Sequence, residues 1–475
     1  MLFTSQIFFV LLAVTFILYY VPLVKQFQIY ILVISSLIFY GYFNPVLLLL
    51  LLVSILLNTT GSYFIYYGNF KFNKIVLYTC VTSNLLILIF FKYSPLFVKT
   101  LFVTNSSVGQ FLLTIPLPLG ISFFTFEGIS LLVDTARNQT NPDPANNFTL
   151  KKSFARQLTE TSLFISFFPH LIAGPILKAA DFLPQIGAKL FKNINWGHCV
   201  KLLITGYFLK MVVADNLKQQ VAYLDYPYFL NLPSSVSLTM IFGFSMQIFA
   251  DFAGYSLIAL GLAALFGYRL NINFNYPYIS ASFTEFWQRW HISLSSFLKK
   301  YLYFPLGGNR KGKARTYFNL FIVMFLGGLW HGAAWSFAAW GFCHGLLLAT
   351  ERLFGDMGIK SNPTRLYKAL KIALVFLSVT FLWILFRMQG IMPVVKYLNS
   401  IYHNVNIPLT PVWDKVIVYI AIYSVPVILY HAYYLYKVNG KKNEYLRFEP
   451  VFYGIMLFLI FTNSGISESF IYFQF

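Results

Sequence analysis

His331 is the side chain whose setting in this sequence most clearly suggests chemistry. It lies in Gly327-Gly-Leu-Trp-His-Gly332, inside the apolar stretch Tyr317–Thr350. An ionisable group deep in an apolar segment is costly to bury and usually has a function. Histidine is the side chain best placed for proton transfer near neutral pH. We therefore predict that His331 is a catalytic base; the alternative is a core histidine that hydrogen-bonds a neighbouring carbonyl group.

Two further histidines, His291 and His344, could assist His331. On one unbroken helix His344 would lie about 220° around the axis from His331, which disfavours a metal site made by this pair. No carboxylate or cysteine stands at a metal-ligand spacing to complete such a site, so no metal is predicted. We predict that His344 is structural and packs beside Trp340. His291 stays a candidate, because it closes an aromatic helix that a substrate could reach.

Asp251 is the other charge within an apolar stretch, in the sequence Asp251-Phe-Ala-Gly-Tyr-Ser256. A proton-relay or transport role is one interpretation. A buried ion pair with an arginine, such as Arg269 or Arg289, is the interpretation we favour, because a buried charge needs a partner.

The elements that must position these residues are membrane helices. Of the 475 residues, 58% are hydrophobic and only 11% are charged, and the mean hydropathy is +0.66, whereas soluble domains carry about 25% charged residues. Apolar stretches long enough to span a bilayer recur from Gln6–Val24 to Val416–Tyr436. We predict an all-α, polytopic membrane protein with about eleven transmembrane helices plus re-entrant or interfacial helices. It would form one integral membrane domain over residues 1–475.

The stretch that contains His331 is too long for one straight span. As a helix, Tyr317–Thr350 would be about 51 Å long, which exceeds the bilayer core of about 30 Å. We expect a break at Gly327–Gly332, so that His331 borders a cavity.

A short interfacial helix is predicted just before His291. Ser282 and Glu285 have the capping-box spacing, and Glu285 precedes Arg289 by four residues, which suits an ion pair. The aromatic residues of this segment share one helical face: Phe283, Phe286, Trp287 and Trp290. An aromatic face with a charged flank is typical of the membrane interface.

The net charge of +20, from 35 Lys and Arg against 15 Asp and Glu, would suggest nucleic-acid binding in a soluble protein. In a membrane protein, basic residues collect in cytoplasmic loops instead, so no nucleic-acid partner is predicted. The segment Lys299–Arg315 carries six basic residues and no acid, which places it in the cytoplasm. Its centre, Pro305–Arg310, is typical of a turn.

An ordered set of motifs resembles the membrane-bound O-acyltransferase (MBOAT) family, in particular its bacterial branch that acetylates cell-surface polysaccharides. The resemblance covers a core of about residues 116–354. Its motifs are Pro116–Phe126, Phe168–Pro175, Asp251–Ser256, Asn273–Tyr278, Phe286–Leu294, Tyr301–Arg310, Gly328–Gly332 and Trp340–Gly345. One departure is Leu257, where many relatives carry an acid.

The resemblance implies that helices surround a central tunnel, with His331 catalytic and His291 supporting it. Acetyl-CoA would be the acyl donor, with no bound cofactor. Residues implied for the donor site or tunnel are Asn273, Trp287, Arg289, Trp330, Asn309 and Arg310. The basic loop could meet CoA phosphates, although positive-inside charge explains the loop equally well. The tetrahedral oxyanion would need a donor, which Trp330, Asn273 or His291 could supply.

The resemblance also implies a bacterial inner-membrane protein that moves acetyl groups outward. A separate periplasmic acetyltransferase would then place them on a polysaccharide of the alginate or peptidoglycan type. A covalent acyl intermediate on Cys343 is less favoured. The competing hypothesis is a transporter or flippase without chemistry, in which Asp251 and His331 mark a permeation path.

Overall fold

The computed structural model describes residues 1–42, 44–101, 104–140, 153–172, 174–357, 364–438, 448–466 and 470. Every regular element in this part of the chain is a helix. The chain divides into two compact units, the first formed by Met1–Leu203 and Ile258–Asn271, and the second by Ile204–Leu257 and Ile272–Phe475.

Seven helical segments among the described residues are long and apolar enough to cross a membrane. They are Pro22–Gly41, Pro45–Tyr67, Lys71–Thr100, Trp196–Leu224, Ser234–Leu265, Arg365–Arg387 and Pro411–Tyr436, with Gln6–Tyr20 and Glu449–Thr462 as shorter apolar helices. The predicted class, an all-α polytopic membrane protein, is therefore confirmed. The number of about eleven spans, the tunnel and the single domain over residues 1–475 stay predictions.

The helices of the first unit are listed here in chain order. They are α1 Gln6–Tyr20, α2 Gln28–Gly41, α3 Pro45–Tyr67, α4 Phe70–Thr100, α5 Ser107–Thr114, α6 Ile121–Thr140, α7 Phe154–Ser166, α8 Phe168–Leu171, α9 Ala179–Phe182 and α10 Trp196–Tyr207, which continues into the second unit.

Buried polar groups join the helices of the first unit. Asn58 on α3 and Asn84 on α4 exchange side-chain amide hydrogen bonds of 3.2 and 3.0 Å. Glu127 on α6 lies 3.0 Å from Nδ1 of His170, and both side chains are fully buried. Glu127 Oε1 also accepts the backbone N–H of Leu177 at 3.4 Å. These contacts hold the extended segment after α8 against α6.

The helices of the second unit follow. A π-helical segment, Phe208–Ala214, connects α10 to α11 Asp215–Gln220. Then come α12 Ser234–Leu265, which ends in the first unit, α13 Phe283–Arg289, α14 Ile292–Leu298, α15 Lys313–His331, α16 Trp335–Asp356, α17 Arg365–Arg387, α18 Ile391–His403, α19 Pro411–Val438 and α20 Glu449–Thr462.

The predicted break beside His331 is confirmed. Helix α15 ends at His331, Gly332 is extended at φ −162°, and α16 begins at Trp335. The chain then turns back, because the far ends of the two helices meet. There the Tyr317 hydroxyl donates to Asp356 Oδ2 at 3.0 Å. The stretch Tyr317–Thr350 is thus part of a helical hairpin rather than one long span.

Candidate active site

Glycines let the two arms of the α15–α16 hairpin approach backbone to backbone. A Cβ atom on Gly341 would lie 3.0 Å from Gly328 Cα, and one on Gly345 would lie 3.3 Å from Phe321 Cα. A Cβ atom on Gly332 would overlap the ring of Phe337. The small residues near His331 are therefore required by the packing of α15 against α16.

His331 lies at this end of α15 with only 4% of its surface exposed. Its ring contacts two large aromatic side chains edge-on, Trp340 at 5.2 Å and Phe386 at 5.3 Å between centroids. Trp330, the preceding residue, is also buried, and its ring centroid is 5.1 Å from that of His331. These aromatic side chains exclude solvent from His331 and restrict the orientation of its imidazole.

His291 lies beside His331, as the resemblance implied. Their ring centroids are 6.1 Å apart, and His291 is fully buried between α13 and α14. Its backbone is left-handed, with φ 44° and ψ 54°, a conformation that non-glycine residues rarely adopt outside constrained sites. Burial lowers the pKa of His291 to about 3, so its imidazole is neutral near pH 7 and can donate one hydrogen bond and accept another.

Asn273 fixes the backbone around His291. Its carbonyl oxygen accepts the N–H of Ile292 at 2.9 Å, and its side-chain Oδ1 accepts the hydroxyl of Ser293 at 2.6 Å. Its Nδ2 donates to Ser256 Oγ on α12 at 3.0 Å. The side chain is buried. Asn273 therefore connects α12 to the turn that carries His291.

Ser282 caps α13 as predicted, but the return bond of Glu285 reaches the residue before the cap. Ser282 Oγ accepts the N–H of Glu285 at 3.0 Å, and Glu285 Oε2 accepts the N–H of Ala281 at 2.8 Å. Arg289 Nε donates to Glu285 Oε1 at 2.9 Å, and its Nη1 donates to the carbonyl oxygen of Asn275 at 3.0 Å. Arg289 thus ties the end of α13 to the segment that contains Asn273.

Trp287 and His344 form a second aromatic group next to Trp340. The ring centroid of His344 is 5.0 Å from that of Trp287 and 4.7 Å from that of Trp340. His344 is fully buried, in agreement with the predicted packing beside Trp340. Within the described part of the chain, Nε1 of Trp287 and both ring nitrogens of His344 have no hydrogen-bond partner. Trp340 lies between His331 and His344, so the two histidines are not in direct ring contact.

Asn309 and Arg310 lie apart from His331. Both are exposed in the turn that precedes α15, which Asn319 secures by donating to the carbonyl oxygen of Gly308 at 2.9 Å. Helix α15 has 19 residues and is therefore about 28 Å long, with His331 at its opposite end. The structure does not bring Asn309 and Arg310 to the histidines.

Asp251 has a buried ionic partner, as predicted, but that partner is a lysine. Lys210 Nζ lies 2.8 Å from Asp251 Oδ1 and 2.7 Å from Asp215 Oδ1. The prediction of an arginine partner is therefore wrong, and Arg289 pairs with Glu285. Sequence spacing could not have found Lys210, because 41 residues separate it from Asp251.

Phe252 is a site residue that the sequence analysis did not single out. Its ring meets that of His291 edge-on, with 4.6 Å between centroids. Its place within the motif Asp251–Ser256 was the available signal, since the resemblance covered that motif without assigning the phenylalanine a role.

Residues 34–395 match the model of the MBOAT, membrane-bound O-acyltransferase family. Because this match covers well over half of the chain, the protein belongs to that family, and the resemblance seen in its motifs is confirmed.

Three relatives illustrate the range of similar proteins. A probable alginate O-acetylase AlgI of Pseudomonas putida is 39% identical over 315 residues, which are 66% of this chain and 61% of that protein. A peptidoglycan O-acetyltransferase of Helicobacter pylori is 32% identical over 391 residues, 78% of this chain and 72% of the relative. A teichoic acid D-alanyltransferase of Bacillus subtilis is 31% identical over 253 residues, 50% and 59% of the two chains. The chain thus spans about three fifths of the length of the alginate relative.

Proposed function

We propose that this protein is a membrane O-acyltransferase that moves acetyl from cytoplasmic acetyl-CoA towards a cell-surface polysaccharide. The observation that carries the proposal is the pair His331 and His291, buried 6.1 Å apart at the end of α15. Membership of the family and the acetyl-transferring names of two relatives support the reaction class.

His331 is the proposed general base. It would take the proton from an acceptor hydroxyl as that oxygen attacks the thioester carbonyl carbon. The tetrahedral intermediate then collapses, the C–S bond breaks, and the proton passes from His331 to the departing thiolate. Such catalysis is typically worth about 10²–10⁴-fold in rate. The aromatic walls of Trp340 and Phe386 support this role, because they hold the imidazole in place and exclude bulk water.

The oxyanion of the intermediate needs a hydrogen-bond donor close to His331. Of the three candidates for this donor, Asn273 is the weakest, because its side chain already forms hydrogen bonds with Ser256 and Ser293. His291 and Trp330 are the stronger ones, since both rings lie within 6.1 Å of the His331 ring, centroid to centroid. We assign Asn273 to positioning His291.

The donor would approach from the basic loop before α15. Lys299, Lys300, Arg310 and Lys311 before α15, together with Lys313 and Arg315 in its first turn, could pair with the phosphates of CoA. Asn309 lies in the same exposed turn as Arg310. The pantetheine arm of CoA would then have to follow α15 for much of its length to reach His331. Trp287 and Arg289, which both belong to α13, would border the path of the pantetheine arm.

The names of the relatives support an acceptor of the alginate or peptidoglycan type. We further propose an inner-membrane location and a separate periplasmic acetyltransferase that completes the transfer to polymer.

Vesicles that contain the purified protein distinguish this proposal from transport without chemistry. Acetyl-CoA labelled in both the acetyl and the adenine groups is added on the side of the basic loop, with polysaccharide fragments on the other side. The proposal expects thioester cleavage that leaves the adenine label on the donor side as free CoA; transfer of the acetyl label to the fragments requires the separate acetyltransferase as well. Passage of intact labelled compound without thioester cleavage would support the transporter instead. Protein-free vesicles give the background.

A further inference from the structure

Three buried charged side chains contact one another on the side of α12 that faces away from His291. Lys210 Nζ contacts Asp215 Oδ1 at 2.7 Å and Asp251 Oδ1 at 2.8 Å, and all three side chains are at most 4% exposed. Burying charges is expensive, and the mutual attraction repays that cost only with good geometry. Lys210 belongs to the π-helical segment Phe208–Ala214, and π-helical turns are frequent at functional sites.

The aspartates bind Lys210 in different ways. Asp215 follows Lys210 by five residues on the same continuous helical stretch, so their contact is local. Asp251 belongs to α12, so its contact joins α12 to that stretch. Gly254 brings the two backbones together, because a Cβ atom there would lie 2.8 Å from the Gly206 carbonyl oxygen and from the Lys210 nitrogen.

The other side of α12 faces the turn between α13 and α14, which carries His291. Phe252 contacts the His291 ring at 4.6 Å between centroids, and Ser256 accepts the side-chain N–H of Asn273. On a regular helix, the mean direction of Asp251 and Gly254 lies roughly 150° from the mean direction of Phe252 and Ser256. Helix α12 is therefore held between Lys210 on one side and His291 on the other.

We propose that Lys210 and Asp251 anchor α12 in the register that sets the position of His291, an inference that rests on the proposed acyl transfer. Both are positioning residues, since they act through Phe252 and through Ser256 and Asn273. Asp215 neutralises Lys210 but has no part in this anchor.

Asp251→Asn and Asp215→Asn form a matched pair of variants. Each removes one carboxylate of similar burial and leaves Lys210 with the other, so neither creates an unpaired buried charge. Asp251→Asn should lower kcat for CoA release about tenfold with KM for acetyl-CoA unchanged, since a small displacement of a catalytic group is costly in rate. Asp215→Asn should stay within about twofold of the unaltered protein.

Equal effects of the two substitutions, or an unchanged kcat in Asp251→Asn, would overturn the anchor. If Asp251→Asn gives no monodisperse protein, Asp251→Glu and Asp215→Glu keep all charges, and the same order of kcat is required. The unaltered protein separates the two proposals. If it releases no CoA, the acyltransferase proposal fails; if it is active and the aspartates do not differ, only the anchor fails.

Discussion

Gly328→Ala should displace His331 by moving the two arms of its hairpin apart. Gly328 lies one helical turn before His331, and the added Cβ would meet the Phe337 carbonyl oxygen and lie 2.9 Å from Gly341 Cα. Ordinary contacts at such an atom begin at 3.4 Å. Because the opposing atoms are backbone, no side chain can rotate away, and α15 and α16 must separate by roughly 0.5 Å or more.

The expected cost follows from this clash. Overpacking of a core typically destabilises a protein by about 1–3 kcal/mol. Replacing a helical glycine by alanine stabilises the helix by about 1 kcal/mol. We expect a net loss of up to about 2 kcal/mol. Since a displacement of 1 Å can lower the rate about 10²-fold, a shift of half that size should reduce kcat about tenfold.

The neighbouring residue supplies the control. A Cβ atom on Gly327 would meet only Leu298 Cδ1, at 3.2 Å, which is the end of a flexible side chain. Gly327→Ala should therefore keep kcat and gain up to about 1 kcal/mol. The assay is thermal unfolding in detergent together with the initial rate of CoA release. Identical behaviour of the two variants would refute the close approach of α15 and α16.

Two further predictions concern the turn that carries His291 and the basic segment Lys299–Arg315. His291→Asn keeps a residue type that tolerates the left-handed backbone, so the protein should fold with an unchanged unfolding temperature while kcat falls at least about tenfold; full activity would remove His291 from the site. Replacing Arg310 and Lys311 by glutamine should raise KM for acetyl-CoA about threefold at low salt, and the difference should shrink as salt screens the loop. An unchanged KM would leave positive-inside charge as the explanation of the loop.

Local features of the site could be predicted from sequence because their causes are local. The end of α15 at His331 follows from a segment too long for one span and from its glycines. The cap at Ser282 follows from the spacing to Glu285. The membrane class follows from composition alone.

Long-range features could not be predicted in the same way. Lys210 and Asp251 meet because α12 returns past the π-helical segment, and no spacing rule links residues on separate helices. Asn273 was expected near the donor or the oxyanion, whereas its hydrogen bonds hold the His291 turn. The closeness of His291 and His331 was implied by family resemblance, and the spacing of the two residues gave no reason to expect it.

The central claim, that His331 performs the transfer, is tested most directly by the initial rate of CoA release from acetyl-CoA in the presence of acceptor. His331→Gln is compared with the unaltered protein, and His403→Gln, at an exposed histidine, serves as the matched control. The proposal predicts that His331→Gln lowers the rate by at least about 10²-fold while the protein stays monodisperse and His403→Gln remains active. A rate for His331→Gln within twofold of the unaltered protein would contradict it.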